Sequence, residues 1–267
     1  MISLGPIGLA SNYPYIDDAA VVADEARAVE DLGYTALWRS GNLPMIAAAV
    51  RATSAIPVAT GIIPVVRVPA AEVVALDIAL QHEHPGRFVA GLGGAHGERP
   101  LAVLNSYLDE LDAAGLGPER RVLAALGPNL LALARDRAAG AYPYLVTPSY
   151  VAAARSALGP DRLLAVLLMV IPLTDREAAR AAAAGPLEFL TAQGGYRRNL
   201  LRQGFTGADI DTVSDRLLDG IAAWGPPERI AERIGRYRAA GADHVVLRIV
   251  GVEDVAVWRA RLARTLL

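Results

Sequence analysis

Residues 56–93 read IPVATGIIPVVRVPAAEVVALDIALQHEHPGRFVAGLG, and this stretch decides the fold. An apolar run, Ile56–Ile63, leads into a helix-length segment, Pro69–His82, and then into a second apolar run, Arg87–Leu92. Pro69 presets the first helical turn. The two runs are continuously apolar rather than alternating, which suits parallel strands buried on both faces. Two such strands joined through a helix make one βαβ unit.

The same unit repeats in both directions. Further strands are expected at Ser3–Leu9, Tyr34–Trp38, Arg121–Leu126, Ala141–Val146, Leu163–Ile171 and His244–Val250. Helices are expected over Asp17–Leu32, Pro44–Thr53, Arg99–Ala114, Pro128–Ala138, Pro148–Leu158, Asp175–Ala184, Pro226–Ala240 and Glu253–Leu266. A helical insertion, Leu187–Ala223, is broken at Gly194-Gly195 and Gly204 and is expected on the top face. Gly33, Gly115 and Gly241 stand where successive helices end. Eight strands, each followed by helix, in a chain of 267 residues predict an α/β fold. The expected form is a single domain, an eight-stranded parallel (β/α)8 TIM barrel with a helical insertion before its last unit. An open doubly wound sheet is the alternative. Against it, no GxGxxG fingerprint follows the first strand, since Gly5-Pro6-Ile7-Gly8 lies within it.

Composition narrows the chemistry. Hydrophobic residues make up 53% and charged residues 20%, which excludes intrinsic disorder. A net charge of −2 offers neither a nucleic-acid footprint nor a polybasic membrane patch. No apolar run approaches the ~18 residues of a transmembrane helix. Met1–Ala10 carries no basic leader, so a cytoplasmic location is expected. The absence of Cys removes thiolate nucleophiles, disulfides and Cys-ligated metals. Lys is absent too, all 26 basic residues being Arg, which removes Schiff-base catalysis and the phosphate-loop NTPases.

In a barrel of this kind, sites form at the C-terminal ends of the strands. His82-Glu83-His84 has a metal-like spacing but enters a strand from the opposite, bottom face, as does His244, so both read as structural. His96 follows Gly93-Gly94-Ala95 at the top of the fourth strand and is the one His on the presumed active face. Tyr13 and Tyr15 flank the first top loop, and Tyr196 lies in the insertion.

The runs Ile56–Ile63 and Pro85–Gly93 resemble strands of the bacterial-luciferase-like barrel superfamily. Segments Ala125–Asn129, Gly140–Pro148, Gly204-Phe205, Ser214–Leu217, Trp224-Gly225 and Ala240–Val245 resemble its actinobacterial branch, which uses the deazaflavin coenzyme F420. The resemblance implies an oxidoreductase that passes hydride between F420 and a small organic substrate (an enone, imine, alkene or alcohol), and a homodimer. It implies a cis peptide at Gly61–Ile62 behind the cofactor ring. It also implies cofactor contacts at Trp38, Ser40, Gly61, Ile62, Arg67, Gly93, Gly94, Gly127, Asn129, Tyr144 and Thr147, with His96, Tyr13 or Tyr196 as proton donor and no metal. Without Lys, the acidic cofactor must be met by Arg, with Arg39, Arg67, Arg99, Arg197 and Arg198 as rim candidates. The alternatives are a reduced-FMN-dependent monooxygenase on the same fold, or a barrel without redox chemistry that acts as a binding protein or non-redox enzyme.

Overall fold

The computed structural model describes residues 3–12, 16–95, 99–192 and 194–267. Its strands are β1 (Ile7–Ala10), β2 (Leu37–Arg39), β3 (Val58–Thr60), β4 (Ile63–Pro64), β5 (Phe88–Gly93), β6 (Arg121–Leu123), β7 (Gly140–Ala141), β8 (Leu163–Ile171), β9 (Ala222–Trp224) and β10 (His244–Ile249). All pairings are parallel. β10 pairs with β1 through Ile7 and Val245, and with β8 through Ala165 and His244, so the sheet closes on itself. With β4 continuing β3 and β9 lying outside the closed path on β8, the barrel has the eight staves expected of a (β/α)8 fold.

The helices are α1 (Ala19–Asp31), α2 (Leu43–Ala52), α3 (Ala70–Glu83), α4 (Pro100–Ala113), α5 (Pro128–Arg137), α6 (Pro148–Leu158), α7 (Arg176–Thr191), α8 (Gly194–Arg202), α9 (Gly207–Asp211), α10 (Asp215–Ile221), α11 (Pro227–Ala239) and α12 (Val255–Leu266). α1 shows how local sequence makes them. The Asp18 carboxylate accepts from Ala20 N and Val21 N, Val22, Ala26 and Val29 repeat at helical spacing on the buried face, and Gly33 at φ +87° turns the chain out. Among the described residues no helix is long and apolar enough to cross a membrane.

Three details depart from the expected boundaries. The third strand is split into β3 and β4 around Gly61–Ile62, whose peptide bond is cis. The strand expected to run to Val146 stops at Ala141, because Pro143 cannot donate to a ladder and Leu145 adopts φ +55°. α7 runs unbroken through Pro186 to Thr191, so the insertion begins later than Leu187. Its buried Ala179, Ala183 and Leu187 keep one face on the core, which outweighs the single hydrogen bond that Pro186 removes.

Strand alternation sorts the core into two layers. Leu9, Leu37, Val58, Phe88, Leu92, Leu123, Val166 and Leu247 point outward beneath the helices. Leu4, Ala36, Trp38, Ala59, Val89, Val122, Tyr142, Ala165 and Val246 fill the barrel interior. The Trp38 ring stacks on Tyr142 at 4.0 Å between centroids, and its Nε1 donates to His244 Nε2 at 3.0 Å. His244 Nε2 is therefore an acceptor, and Nδ1 donates to the Gly5 carbonyl at 2.7 Å, which sets the neutral tautomer. Gly8 makes room for the ring, since a Cβ there would lie 2.5 Å from His244 Nε2.

Burial pushes the His244 imidazole down to about 4, although the Gly5 carbonyl opposes the shift. As pH falls through the ordinary value near 6.5, the unfolded chain takes the proton first. The stability held by neutral His244 is thus complete above about pH 6.5 and is lost toward pH 4. Urea unfolding at stepped pH should show His244→Gln, which keeps an acceptor and a donor, losing less stability than wild type over this window. The difference should approach about 1.4 kcal/mol per pH unit at its steepest.

Candidate active site

The alternation that turns His244 and Val246 into the barrel carries Arg248 inward as well, near the C-terminal end of β10. Tyr142 and Tyr144 follow β7, Tyr144 bridging Leu167 on β8. Gly61 closes β3 and is exposed, and a Cβ placed on it would stand 3.1 Å from the Tyr142 hydroxyl oxygen. The insertion delivers Tyr196 on α8, whose ring meets Tyr144 edge-on at 6.4 Å. Gly61, Ile62, Tyr142, Tyr144, Leu167, Tyr196 and Arg248 thus gather at the barrel mouth.

Burial pushes the Tyr142 and Tyr144 phenols well up, and the nearby Arg248 charge offsets part of that shift. Burial also pushes Tyr196 up, to about 12. All three are protonated donors at neutral pH. The Tyr144 hydroxyl is buried and has no hydrogen-bond partner among the described residues. Arg248 is half-buried, with no carboxylate in ion-pair reach among the described residues. Neither Tyr142 nor Arg248 is singled out by sequence reasoning. The available signal was Arg248 itself, a lone charge inside the apolar strand His244–Ile249 and in the same alternation as His244.

Beside the mouth, α5, α6 and α8 enclose a groove of about 580 Å³, lined among others by Pro128, Thr147, Ser149, Tyr150, Arg202 and Gln203. Thr147 caps α6 by accepting from Tyr150 N at 3.2 Å, leaving its hydroxyl hydrogen free to donate. Gln203 holds the loop from both sides, accepting from Thr147 N at 2.8 Å and donating to the Leu145 carbonyl at 3.1 Å. Gly127 caps α5 near the Arg202 guanidinium, while Asn129 is exposed on the first turn and does not line the groove.

The remaining expected positions divide. Ile62 is half-buried beside Gly61, Ser40 is half-buried after β2, and Arg67 is exposed in the turn after β4, with no ion pair among the described residues. Trp38 is 1% exposed and belongs to the barrel floor, its ring covered by Tyr142. Gly93 and Gly94 are closely packed: a Cβ would lie 2.9 Å from Ala124 and Ile62 at the first and 3.1 Å from Pro64 at the second. His96, Tyr13 and Tyr15 lie outside the described residues. Arg197 is tied to Asp211 at 2.6 Å. In the His82-Glu83-His84 run, Glu83 is bound by Arg51 at 2.6 and 2.8 Å.

Arg39 departs most from expectation. Instead of facing the mouth it turns outward into a buried cluster, pairing with Glu25 and donating to Ser11 Oγ at 2.8 Å. Arg259 of α12 pairs with the other Glu25 oxygen, and Ser11 donates to Glu25 at 2.6 Å. Neighbouring Asn12 donates to the Ile249 carbonyl at 2.6 Å. The cluster ties the ends of β1, β2 and β10 to α1 and α12.

No protein-family model and no curated protein matches this sequence. Solved structures do. An F420-dependent secondary alcohol dehydrogenase in complex with an F420–acetone adduct superposes with a TM-score of 0.74 at 15% identity, over 99% of this chain and 100% of that one. The coenzyme F420-dependent tetrahydromethanopterin reductase from Methanopyrus kandleri gives 0.68 at 14%, covering 97% of each chain. The FMN-bound oxygenating constituent of 3,6-diketocamphane monooxygenase from Pseudomonas putida gives 0.70 at 13%, over 98% and 95%. These likenesses show the fold, and the barrel implied by the luciferase-like resemblance is the one observed.

Removing Glu25 strands two buried guanidiniums. Glu25→Ala should lower stability by about 3–5 kcal/mol, read as a drop in the urea midpoint. Arg67→Ala, an exposed control without an ion pair among the described residues, should shift it by less than about 0.5 kcal/mol.

Proposed function

We propose that this chain is an oxidoreductase that holds coenzyme F420 across the barrel mouth and exchanges hydride with a small organic substrate. One observation carries the reading: an exposed Gly61 facing the Tyr142 hydroxyl in a mouth walled by tyrosines, at the C-terminal ends of the strands. Likeness of fold to two F420-dependent enzymes over nearly the whole chain supports it.

The residues present suit such a group. Gly61 offers a surface without a side chain, where a planar ring approaches the backbone closely. The Thr147 hydroxyl, the N-terminus of α6 and Arg202 line a groove suited to a phosphodiester. Exposed Arg67, without an ion pair among the described residues, suits an acidic tail. When bound, the deazaflavin supplies or accepts hydride at its central-ring carbon. The chain's part is to orient and to handle the proton. The Tyr196 hydroxyl, kept protonated by burial and braced by the Tyr144 edge, is the donor within the described residues. Tyr142, packed on Trp38, holds the floor of the site rigid. An FMN-dependent monooxygenase is the second reading, favoured by the likeness to the FMN-bound 3,6-diketocamphane enzyme.

Fluorescence titration with F420 and with FMN separates these readings: F420 should bind and FMN bind far more weakly. Arg67→Ala should weaken F420 several-fold while leaving FMN nearly unchanged, and added salt should weaken wild type more than the variant. Preferential FMN binding moves the assignment to the second reading, and binding of neither removes redox chemistry.

A further inference from the structure

The buried arginines among the described residues, Arg39, Arg121 and Arg259, each touch a carboxylate. Arg248 does not, although it sits half-buried on a barrel strand and reaches into the mouth. A partly desolvated guanidinium without a counter-charge is unfavourable unless something completes it. A second observation points to the same place. Tyr144 is 7% exposed and its hydroxyl oxygen has no partner among the described residues, against the rule that buried polar groups are hydrogen-bonded. The two groups belong to one site: Tyr144 bridges Leu167, Leu167 is paired with Val246, and Arg248 is the next residue of β10 on the same face as Val246. Among the described residues the remaining lining, Gly61, Ile62, Tyr142, Leu167 and Tyr196, carries no negative side chain and presents mainly apolar and aromatic surface.

From this we infer that Arg248 and the Tyr144 hydroxyl together bind a carboxylate on the substrate, so that the enzyme acts on an unsaturated organic acid rather than on a neutral molecule. The guanidinium fork takes one or both carboxylate oxygens, and Tyr144 Oη donates to one of them. A cationic substrate is disfavoured by the Arg248 charge, which no carboxylate among the described residues compensates. A neutral one leaves both Arg248 and Tyr144 unsatisfied. The apolar wall around Leu167 and Ile62 receives the carbon skeleton. This assignment rests on the barrel mouth being the reaction site.

The test is calorimetric binding of cinnamate and of its methyl ester to the intact protein, with and without F420. Wild type should bind the acid at least about tenfold more tightly than the ester. Arg248→Met, close in length and apolar, should abolish that preference, Arg248→Lys should retain part of it, and Tyr144→Phe should reduce it several-fold. Circular dichroism melts show whether each variant is folded, and if Arg248→Met is not, Arg248→Lys and Tyr144→Phe carry the comparison. Equal binding of acid and ester by wild type, no binding of either, or a preference that survives Arg248→Met overturns the inference. A tenfold loss of F420 affinity in Arg248→Met, with the acid preference intact, places Arg248 on the cofactor and overturns it as well. Acid preference lost in Arg248→Met while wild type binds neither F420 nor FMN upholds the carboxylate site and defeats the redox reading. F420 binding without acid preference does the reverse.

Discussion

A closed parallel barrel has to fill its own interior, and here one ring does most of that work. Trp38 lies flat on Tyr142, and its indole N–H is taken by an imidazole held neutral by burial and by the Gly5 carbonyl. The smaller inward residues, Ala10, Ala36, Ala59 and Val246, pack around this stack. Trp38 is buried against Tyr142, and the Tyr142 hydroxyl lies beside exposed Gly61 at the mouth. The position of the stack therefore sets both the depth of the site and the level at which Gly61, Tyr144 and Arg248 meet.

A chain whose only permanent cation is arginine uses that residue in several distinct ways. Buried arginines hold elements together: Arg121 reaches Asp112 at 2.6 Å and the carbonyls of Leu116 and Arg137, and Arg39 and Arg259 share Glu25. The planar fork allows this, because several fixed donors can satisfy one carboxylate and several carbonyls at once. Others flank aromatic faces, as Arg176 and Arg229 do at Trp224. Arg248 belongs to neither group, and among the described residues it has no carboxylate partner.

The insertion between β8 and β10 contributes residues to the candidate site. Its apolar residues Leu200, Phe205 and Leu217 cluster with Leu187 of α7 and with Met169 and Ile171 at the top of β8. That anchorage lets α8 present Tyr196 to Tyr144 and Gln203 to the backbone of Leu145 and Thr147. Leu145, held at positive φ, is fixed by contacts from a segment almost sixty residues away in the chain.

The strand–helix repetition, the helix ends at Gly33, Gly115 and Gly241 and the top-face position of the loops follow from local periodicity and backbone preference, and the sequence by itself determined them. Gly61 entered through the resemblance, Thr147 as a residue of a top-face loop, and Tyr196 through the insertion expected on the top face. What only the tertiary structure decided is the direction of each side chain. Arg39 and Arg248 are both charges near the end of an apolar strand and look alike as sequence. One residue of strand register sends the first outward to Glu25 and Arg259, and the second inward to Tyr142 and Tyr144. That choice depends on how eight distant strands close, and on partners more than two hundred residues apart in the chain, as Glu25 and Arg259 are.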